Sequence, residues 1–386
     1  MPVRKICIIG LDDYPQLVDP GSPRSVGGES VQHALLARAW RDLGLDVSII
    51  VRDHGQGRVT QVDGMRVVAA YGRSEGLPML RFAHPRMTRL IAAMREIDAD
   101  VYYQSPSAAD TGVTAWFCRR HGKRAVIRIV SDLGCLPDRQ LIRYWRDRRL
   151  YEYGLHNAHL LTVQSEQQRR LLQVHYRLSS EIVNMAVEWP QEAPVAKDIE
   201  VLWTANLRPV KRPEVVLELA RRLPHVRFTM AGGRLPGEEA CFAAIMREAQ
   251  ELPNVTCLGA VAYSEIGRLF TRAKLFLNTS LIEGFPNTFL QAWIRGVPVV
   301  TFFDPDRLVH TRALGVTVGT IDEMATMLDT LLRDQVRRHA LGERARAFAA
   351  TDFMAPQVAA RYLEFLDGQG ATAQIRARAL RDGTNG

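Results

Sequence analysis

Residues 200–224, EVLWTANLRPVKRPEVVLELARRLP, decide the fold class of this chain. A β-branched apolar run ends at Thr204, and a polar turn follows it. Pro213 then opens a segment with apolar residues at helical spacing. A strand, a turn and an amphipathic helix in immediate succession form the repeating unit of parallel sheets. The stretch therefore predicts an α/β fold.

The same alternation continues along the chain and predicts ten strands with amphipathic helices between them. The predicted strands are KICIIG, DVSIIVRD, DVYYQS, RAVIRIVS and LLTVQS in the first half, and EVLWTAN, VRFTMAGG, VTCLGAV, KLFLNTS and VPVVTF in the second. Residues 187–200, VEWPQEAPVAKDIE, break the pattern and are predicted to link two parallel-sheet domains. Two domains also fit a chain of 386 residues, which exceeds what one core usually supports.

Composition indicates a cytoplasmic globular protein. The five cysteines are scattered and include no C-x-x-C pair, which favours a reduced interior over a disulfide framework or a zinc site. The apolar run near the N-terminus is interrupted by Asp12 and Asp13, which argues against a signal peptide. No uncharged run approaches the length of a membrane span.

The positive charge is concentrated in the first half. Residues 1–190 carry 26 Lys and Arg against 20 Asp and Glu, out of a net charge of +8. Two arginine-rich segments, residues 79–97 and 141–154, lie there. Each segment is either a solvated helix face or a surface that attracts an anionic partner. That partner would be an anionic membrane surface, such as the inner face of the cell membrane, or a phosphorylated acceptor. Nucleic acid is disfavoured because no recognition signature accompanies the charge.

A first ligand-binding turn is predicted at Gly27 and Gly28, which open an amphipathic helix. Glycines there let a ligand approach the backbone, and unpaired N–H groups at the helix start favour an anion. The alternative is a tight loop that needs positive φ angles. The spacing does not match the dinucleotide fingerprint G-x-G-x-x-G.

A second turn, after the strand that ends near Thr204, places Arg208, Lys211 and Arg212 at the start of a helix. Cations are unfavourable at that end of the helix dipole unless an anion lies between them. A diphosphate would meet this requirement. The alternative is that the three side chains point into water.

A third turn lies in residues 280–302, SLIEGFPNTFLQAWIRGVPVVTF, where Glu283 precedes a glycine and a proline. Gly284 permits backbone angles closed to other residues, and Pro286 favours the turn and the following helix. Glu283 therefore sits on a rigid corner of the kind that holds ligands at strand ends. The alternative is a carboxylate that only caps the helix.

Together these segments resemble GT-B fold glycosyltransferases of the retaining glycosyltransferase family 4. The resemblance runs from about residue 5 to 365 and is carried by Gly27-Gly28-Glu29, LLTVQSEQQRRLL, VLWTANLRPVKRPEVVLELA and EGFPNTFLQAWIRGVPVV. It implies two Rossmann-like parallel-sheet domains that face each other across a cleft. Their predicted bounds are 1–187 for an acceptor domain and 188–352 for a nucleotide-sugar donor domain, with 353–386 as a helix that crosses back and a flexible tail.

The implied activity is transfer of a sugar from a UDP- or GDP-sugar to an acceptor, with retained anomeric configuration and without a cofactor or protein-held metal. The setting would be polysaccharide, glycolipid or glycoconjugate biosynthesis. Glu283 is the implied catalytic carboxylate, Lys211 would hold the diphosphate and Gln291 would face the ribose. The implied donor-binding residues are Gly27, Gly28, Asn206, Arg208, Lys211, Gly284, Phe285, Pro286, Asn287, Thr288 and Gln291.

Three positions depart from the family pattern. Gln291 stands where the family has a glutamate, and Asn206 stands where it has an arginine. Arg208, in the same loop, would supply the charge of that missing arginine. Asp132 stands where a histidine is usual; it is a candidate catalytic residue or a helix cap. Two other functions therefore stay open, namely a catalytically impaired GT-B protein that binds a nucleotide or a partner, and a sugar-nucleotide epimerase.

Overall fold

The computed structural model describes residues 2–19, 28–77, 80–105, 107–137, 142–193, 195–235 and 237–367. These residues form two compact units. The first contains residues 2–19, 28–186 and 355–367, and the second contains residues 187–354. Gly27 and the predicted flexible tail beyond residue 367 lie outside the described residues.

The first unit is built on an eight-stranded sheet. Its strands are β1 Lys5–Ile9, β2 Asp46–Asp53, β3 Val59–Val62, β4 Met65–Gly72, β5 Val101–Gln104, β6 Arg124–Arg128, β7 Leu160–Val163 and β8 Glu181–Ile182. The strand order is β3-β4-β2-β1-β5-β6-β7-β8, and all neighbours are parallel except β3 and β4. Its helices include α1 Tyr14–Val18, α2 Gly28–Asp42, α3 Thr88–Ile97, α4 Ala109–His121, α5 Trp145–Asn157 and α6 Glu166–Tyr176.

The second unit is built on a six-stranded, wholly parallel sheet. Its strands are β9 Ile199–Thr204, β10 Phe228–Ala231, β11 Val255–Cys257, β12 Ala273–Asn278, β13 Val299–Thr301 and β14 Gly315–Thr317, in the order β11-β10-β9-β12-β13-β14. Its helices include α7 Pro213–Arg222, α8 Glu239–Gln250, α9 Tyr263–Arg272, α10 Asn287–Trp293, α11 Leu308–Thr311, α12 Ile321–Arg333 and α13 Gln335–Asp352.

The last described helix, α14 Ala355–Asp367, belongs to the first unit. Trp40 of α2 donates from its indole nitrogen to the Ala359 carbonyl over 3.1 Å. Near the other end of α14, the Asp367 carboxylate accepts from the Val3 backbone N–H at 3.1 Å. The end of the described chain is thereby tied to the beginning of the same unit.

The predicted α/β fold with two parallel sheets is confirmed, and all ten predicted strands are present. The antiparallel hairpin of β3 and β4 was not predicted. Its turn is Asp63-Gly64, with φ angles of 52° and 76° that suit a tight two-residue hairpin. The short strands β8 and β14 were also not predicted, because two or three residues carry little periodic signal. None of the described helices combines the length and apolar character needed to cross a membrane.

Candidate functional site

The second sheet has its topological switch point between β9 and β12. From β9 the chain adds β10 and β11 on one side, and it then returns to add β12, β13 and β14 on the other. Loops that leave the carboxyl ends of two such strands diverge and leave a crevice, where ligands of open α/β sheets bind. Of the predicted site residues, Asn206, Arg208 and Lys211 lie in the loop after β9, and residues 283–286 lie in the loop after β12.

The loop after β9 carries Asn206, Arg208 and Lys211. Its centre is anchored by Leu207, which is 2% exposed and donates its backbone N–H to the Gly233 carbonyl over 3.1 Å. A short 3-10 turn from Pro209 to Lys211 follows and leads into α7. Lys211 therefore ends a rigid turn directly before a helix.

Lys211 and Glu283 meet in the space between the two loops. The Lys211 Nζ atom donates to Glu283 Oε1, and the two side chains are only 18% and 12% exposed. Two further hydrogen bonds link β9 and its loop to Thr279, which follows β12. The Trp203 indole donates to Thr279 Oγ1 over 2.9 Å, and Thr279 Oγ1 donates to the Lys211 carbonyl over 2.6 Å. Two predicted site residues 72 positions apart are thus held together at the switch point.

The corner from Gly284 to Thr288 is anchored by an aromatic ring. Phe285 is 7% exposed, and its ring centroid lies 6.1 Å from that of Trp293 and 5.4 Å from that of Phe353. The buried Pro286 precedes α10, which begins at Asn287. The Phe285 ring therefore fixes the corner from within the core, and a role of this segment in donor binding stays a prediction.

Gln291 lies on α10 beside a buried arginine. Its side-chain oxygen accepts from Arg295 Nη1 over 2.8 Å. Arg295 is also bound at 3.0 Å to Glu192, which comes from the segment predicted to be a linker. A carboxylate from another part of the chain thus binds the same arginine as Gln291. Contact between Gln291 and a ribose stays a prediction.

Arg208 brings an unsatisfied donor to the same loop. Its Nε atom is buried and has no hydrogen-bond partner among the described residues. A buried N–H without a partner costs about 1–3 kcal/mol. An anionic ligand that reached this atom would remove the cost, which fits the predicted diphosphate site.

The first sheet has its own switch point, between β1 and β5. Four polar side chains meet there. Asp13 follows β1, Ser105 follows β5, and Glu29 and His33 lie one turn apart on α2. His33 Nδ1 is 2.6 Å from Asp13 Oδ2, His33 Nε2 is 2.6 Å from Ser105 Oγ, and Ser105 Oγ donates to Glu29 Oε1.

Burial and charge shift the protonation of this cluster. Burial raises the pKa of the Glu29 carboxyl above its ordinary value. For His33, burial disfavours the cation, but the carboxylates of Asp13 and Glu29 outweigh this effect and raise its pKa. Gly10 is required beside it, because a Cβ at this position would lie 1.6 Å from Asp13 Oδ2. Perturbed titration in a strand-end crevice is typical of functional sites.

The other predicted residues of the first unit occupy nearby strand and helix ends. Gly28 is the first residue of α2, whereas Gly27 is outside the described part of the chain. Asp132 follows β6 in a short 3-10 turn and accepts from Gln167 Nε2 over 2.6 Å. Asp132 is thus one strand further from the switch point than Ser105, and a catalytic role for it stays a prediction.

Sequence reasoning missed the roles of Asp13, His33 and Ser105, and of Thr279 in the second unit. The available signals were weak: a polar residue just after an apolar strand, and a histidine one turn after the glycine pair. Each is common in proteins without a site there. Among the described residues, no group of three or more His, Cys, Asp and Glu side chains could hold a metal ion.

Two protein families match the chain in succession. Residues 27–183 match the family described as glycosyl transferase 4-like domain. Residues 187–348 match the family described as glycosyl transferases group 1. Between them they cover most of both units.

Curated relatives match part of the chain. A D-inositol 3-phosphate glycosyltransferase of Mycolicibacterium paratuberculosis is 34% identical over 169 residues, which are 42% of this chain and 38% of that protein. The protein of the same name from Mycobacterium tuberculosis strain F11 is 33% identical over 143 residues, or 34% of this chain and 29% of that protein. The chain thus matches well under half the length of these relatives.

Solved structures match nearly the whole chain. Sucrose-phosphate synthase of Thermosynechococcus elongatus has a TM-score of 0.75 at 17% identity, covering 96% of this chain and 100% of that one. HepE of Anabaena, solved in complex with UDP and glucose, has a TM-score of 0.74 at 18% identity and covers 94% and 99%. At these identities the likeness concerns the fold, and it confirms the predicted GT-B fold.

Proposed function

The chain belongs to the glycosyl transferases group 1 family, and on that premise we propose that it moves a sugar from a nucleotide-sugar donor to an acceptor with retained anomeric configuration. We place the donor at the switch point of the second sheet. The observation that carries this proposal is the Lys211–Glu283 pair, since it puts a cation and a carboxylate side by side in a strand-end crevice.

Lys211 and Glu283 carry charges opposite to those that develop at the two ends of the bond between the sugar and the nucleoside diphosphate as it breaks. Departure of a nucleoside diphosphate develops negative charge on the phosphate, which Lys211 and the buried Arg208 Nε can stabilise. Departure also leaves positive charge on the sugar ring, which the adjacent Glu283 carboxylate can stabilise. Because Thr279 and Trp203 fix the backbone beneath, little reorganisation is needed as charge develops.

Nucleotide binding tests the donor site. The affinities for UDP, GDP, ADP, CMP and NAD are measured by calorimetry for wild type, for Lys211→Ala and for the control Lys274→Ala. Lys274 lies at the other end of the neighbouring strand, 3.7 Å from Glu200. We expect one nucleoside diphosphate to bind wild type and Lys274→Ala alike, and to bind Lys211→Ala about 10- to 100-fold more weakly because a charged donor is lost.

Two results would contradict the donor site. One is unchanged affinity in Lys211→Ala. The other is no response of wild type to any of the five nucleotides, which would favour the impaired, partner-binding function. A donor that is isomerised without any acceptor present would instead indicate an epimerase.

The proposal includes transfer without a protein-held metal, as the resemblance to family 4 implies. We expect turnover of the nucleotide sugar to persist in excess EDTA, because Lys211 and Arg208 would supply the positive charge. Turnover that is lost with EDTA and restored by Mg²⁺ would overturn this part of the proposal.

We also propose contact with an anionic membrane, through a surface of the first unit. Arg146 packs its guanidinium 3.4 Å above the Phe82 ring and so brings the two arginine-rich segments together. Large apolar side chains are exposed on both segments, namely Leu80 63%, Tyr144 54% and Trp145 77%, and Leu77, just before the first segment, is 68% exposed. Tryptophan and tyrosine beside arginine are typical of protein surfaces that enter the headgroup region of a bilayer.

Vesicle flotation tests this surface. Full-length wild type should float with vesicles of phosphatidylcholine and phosphatidylglycerol and stay in solution with phosphatidylcholine alone. Trp145→Ala should reduce flotation several-fold, whereas Trp189→Ala should not, although Trp189 is also exposed, at 42%, in the second unit. The surface would be excluded by equal flotation of both variants, or by a wild type that never floats.

A further inference from the structure

A cleft with a volume of about 390 Å³ lies in the first unit, between α3 and the hairpin of β3 and β4. This volume is within the range of about 300–1,000 Å³ that is typical of small-molecule sites. The lining consists of Asp53, Arg58, Ala69, Ala70, Arg89, Ala92 and Ala93. Because β4 is two positions from β1 in the strand order, the cleft is separate from the switch point between β1 and β5.

Four alanines form the apolar part of the lining. Ala69 and Ala70 lie on β4, and Ala92 and Ala93 lie on α3. Larger side chains normally fill the space between two packed elements. The alanine methyl groups leave this space open and give it an apolar surface, against which the carbon skeleton of a small molecule can pack.

The ladder between β2 and β4 is irregular beside the cleft. Val51 of β2 pairs with Ala69 of β4. The next pair in the ladder joins Asp53 to Gly72, so β4 has one residue more than β2 over this interval. Bulges of this kind redirect side chains and are frequent beside functional sites. Here the residue that follows the irregularity on β2 is Asp53, whose exposed carboxylate lines the cleft.

Two arginines line the cleft from different elements. Arg58 directly precedes β3, and Arg89 lies in the first turn of α3. Arg58 donates to Glu96 of α3, and Arg89 is 2.7 Å from Glu75, which follows β4. Neither glutamate belongs to the lining. A guanidinium group has five N–H donors, so each ion pair leaves donors for a second anion.

Stability alone does not account for these arginines. The side chains of Arg58 and Arg89 are 69% and 47% exposed. Ion pairs between side chains this exposed contribute little to stability, because water screens them and their ordering costs entropy. The lining carries two cations and one carboxylate, and its net charge favours an anionic ligand. Phosphate suits it better than carboxylate, because its three terminal oxygens can accept from two guanidinium groups at once.

We propose that the cleft binds a phosphate ester that carries hydroxyl groups. Arg58 and Arg89 bind the phosphate, Asp53 accepts from a hydroxyl, and the alanines contact the carbon skeleton. This chemistry has two sources, namely a soluble polyol or sugar phosphate and the headgroup of a phospholipid such as phosphatidylglycerol. The second source is included because α3 lies in the arginine-rich segment 79–97. The cleft belongs to the first unit, so the inference does not depend on the donor site of the second.

Calorimetry with inorganic phosphate and with glycerol 3-phosphate tests the soluble source. Full-length wild type is compared with Arg58→Gln and Arg89→Gln. The matched controls are Arg268→Gln and Arg221→Gln, since these arginines are 67% and 49% exposed and each is paired with a glutamate. We expect each cleft variant to bind glycerol 3-phosphate about tenfold more weakly or worse, because charge-assisted hydrogen bonds are lost. The controls should stay within twofold of wild type.

Substitution of Asp53 tests the hydroxyl contact. Asp53→Asn keeps an oxygen that can accept from the Gly55 backbone N–H, a bond of 2.8 Å in wild type, and removes the charge. The affinity for glycerol 3-phosphate should fall about threefold or more. The affinity for inorganic phosphate should stay the same or rise, because a repulsive charge is removed. Loss of both affinities would contradict the hydroxyl contact and assign Asp53 to the structure.

Filling the cleft tests the site without a change of charge. Ala92 is exposed on α3, and leucine is a good helix former, so Ala92→Leu should leave stability nearly unchanged. It should weaken glycerol 3-phosphate binding about tenfold or more. Ala243→Leu is the control, because Ala243 is an exposed alanine on α8. The ¹³C methyl resonances of Ala69 and Ala92 should shift with glycerol 3-phosphate in wild type and equally in Lys211→Ala.

Flotation with vesicles of phosphatidylcholine and phosphatidylglycerol tests the headgroup as the source. If the headgroup is the ligand, Ala92→Leu and Arg58→Gln float several-fold less than Ala243→Leu and Arg268→Gln, and glycerol 3-phosphate releases wild type from the vesicles. If the ligand is soluble, these variants float like their controls, and the effect of Ala92→Leu is confined to calorimetry.

The inference is overturned if wild type responds to neither soluble probe and Ala92→Leu floats like Ala243→Leu. It is also overturned if glycerol 3-phosphate binds equally to wild type, Arg58→Gln and Ala92→Leu, since the probe would then occupy another site. Nucleotide binding that depends on Lys211 would leave the donor site intact in both cases. Conversely, absence of any nucleotide response together with shifts of Ala69 and Ala92 would contradict the donor site and support the cleft.

Discussion

At the scale of single residues, the proposed donor site depends on backbone packing as much as on charged side chains. Gly232 directly follows β10, and a Cβ there would lie 1.8 Å from the carbonyl oxygen of Ala205, in the loop that carries Lys211. Gly233 next to it is less confined, since its Cβ would lie 3.2 Å from the Ala260 Cβ. The glycine at 232 is thus needed for close approach of two backbone segments and not for an unusual φ angle.

We therefore predict that Gly232→Ala lowers the free energy of unfolding by about 2–3 kcal/mol, because the loop after β9 must shift to accept the methyl group. The same variant should weaken nucleotide binding, since Lys211 moves with the loop. Gly233→Ala serves as the control and should cost less than about 1 kcal/mol. Chemical denaturation and calorimetry measure the two effects, and equal behaviour of the two variants would refute the explanation.

At the scale of secondary structure elements, α14 completes the core of the first unit. Tyr362 is fully buried, with its ring centroid 5.6 Å from that of Trp40 and 5.5 Å from that of Tyr103. Its hydroxyl accepts from the buried Arg128 Nη1 over 3.2 Å. One side chain of α14 thus fills the space between α2 and the sheet and also accepts a hydrogen bond from a buried cation.

Substitution of Tyr362 separates these two contributions. Tyr362→Ala should lower the free energy of unfolding by about 3–5 kcal/mol because it leaves a cavity. Tyr362→Phe keeps the ring and should cost about 1–2 kcal/mol through the lost hydrogen bond of Arg128. Phe365→Ala, on the more exposed side of α14, should cost about 1 kcal/mol. If all three variants melted alike, α14 would not be part of the core.

At the scale of the whole molecule, stability should depend on pH through carboxyls of opposite behaviour. Burial raises the pKa of Asp110 to about 6, although Arg52 and Arg86 act against the shift. Asp100 is the reverse case: backbone N–H donors of Arg4 and Lys5 outweigh the effect of burial and lower its pKa.

The direction in which stability changes with pH follows from how many protons the folded and unfolded states bind. Between about pH 4 and pH 6 the folded state keeps a proton on Asp110 that the unfolded chain has lost, so this group makes the protein less stable as pH rises through that window. Asp110→Asn should therefore raise the free energy of unfolding at pH 7.5, by up to about 2 kcal/mol, and change it little at pH 4.

Asp100→Asn should act in the opposite direction and lower stability at pH 7.5, where the wild-type carboxylate is ionised and bound by two N–H groups. Chemical denaturation at pH 4 and at pH 7.5 measures the free energy of unfolding of Asp110→Asn and Asp100→Asn. A gain for Asp110→Asn of equal size at pH 4 and pH 7.5 would show that its effect does not come from titration.

The sequence alone was sufficient for the fold class and for locating the two loops at the switch point of the second sheet, where we propose that the donor binds. Strands such as β1 and β9 and helices such as α2 are encoded by local apolar patterns, which need no partner to be recognised. The loop with Lys211 and the corner with Glu283 carry local turn residues that mark them as rigid. The motifs that resemble family 4 lie in the same segments, so the family was also readable from the sequence.

Only the tertiary structure determined which of these loops are neighbours. The order of strands places β9 beside β12, and so brings Lys211 to Glu283 across 72 residues. It likewise places β1 beside β5, and so joins Asp13 and Ser105 to the two residues of α2. Strand order is a non-local property, set by which crossovers bury the most apolar surface. No single stretch of sequence records it, and for this reason the buried cluster of the first unit was not foreseen.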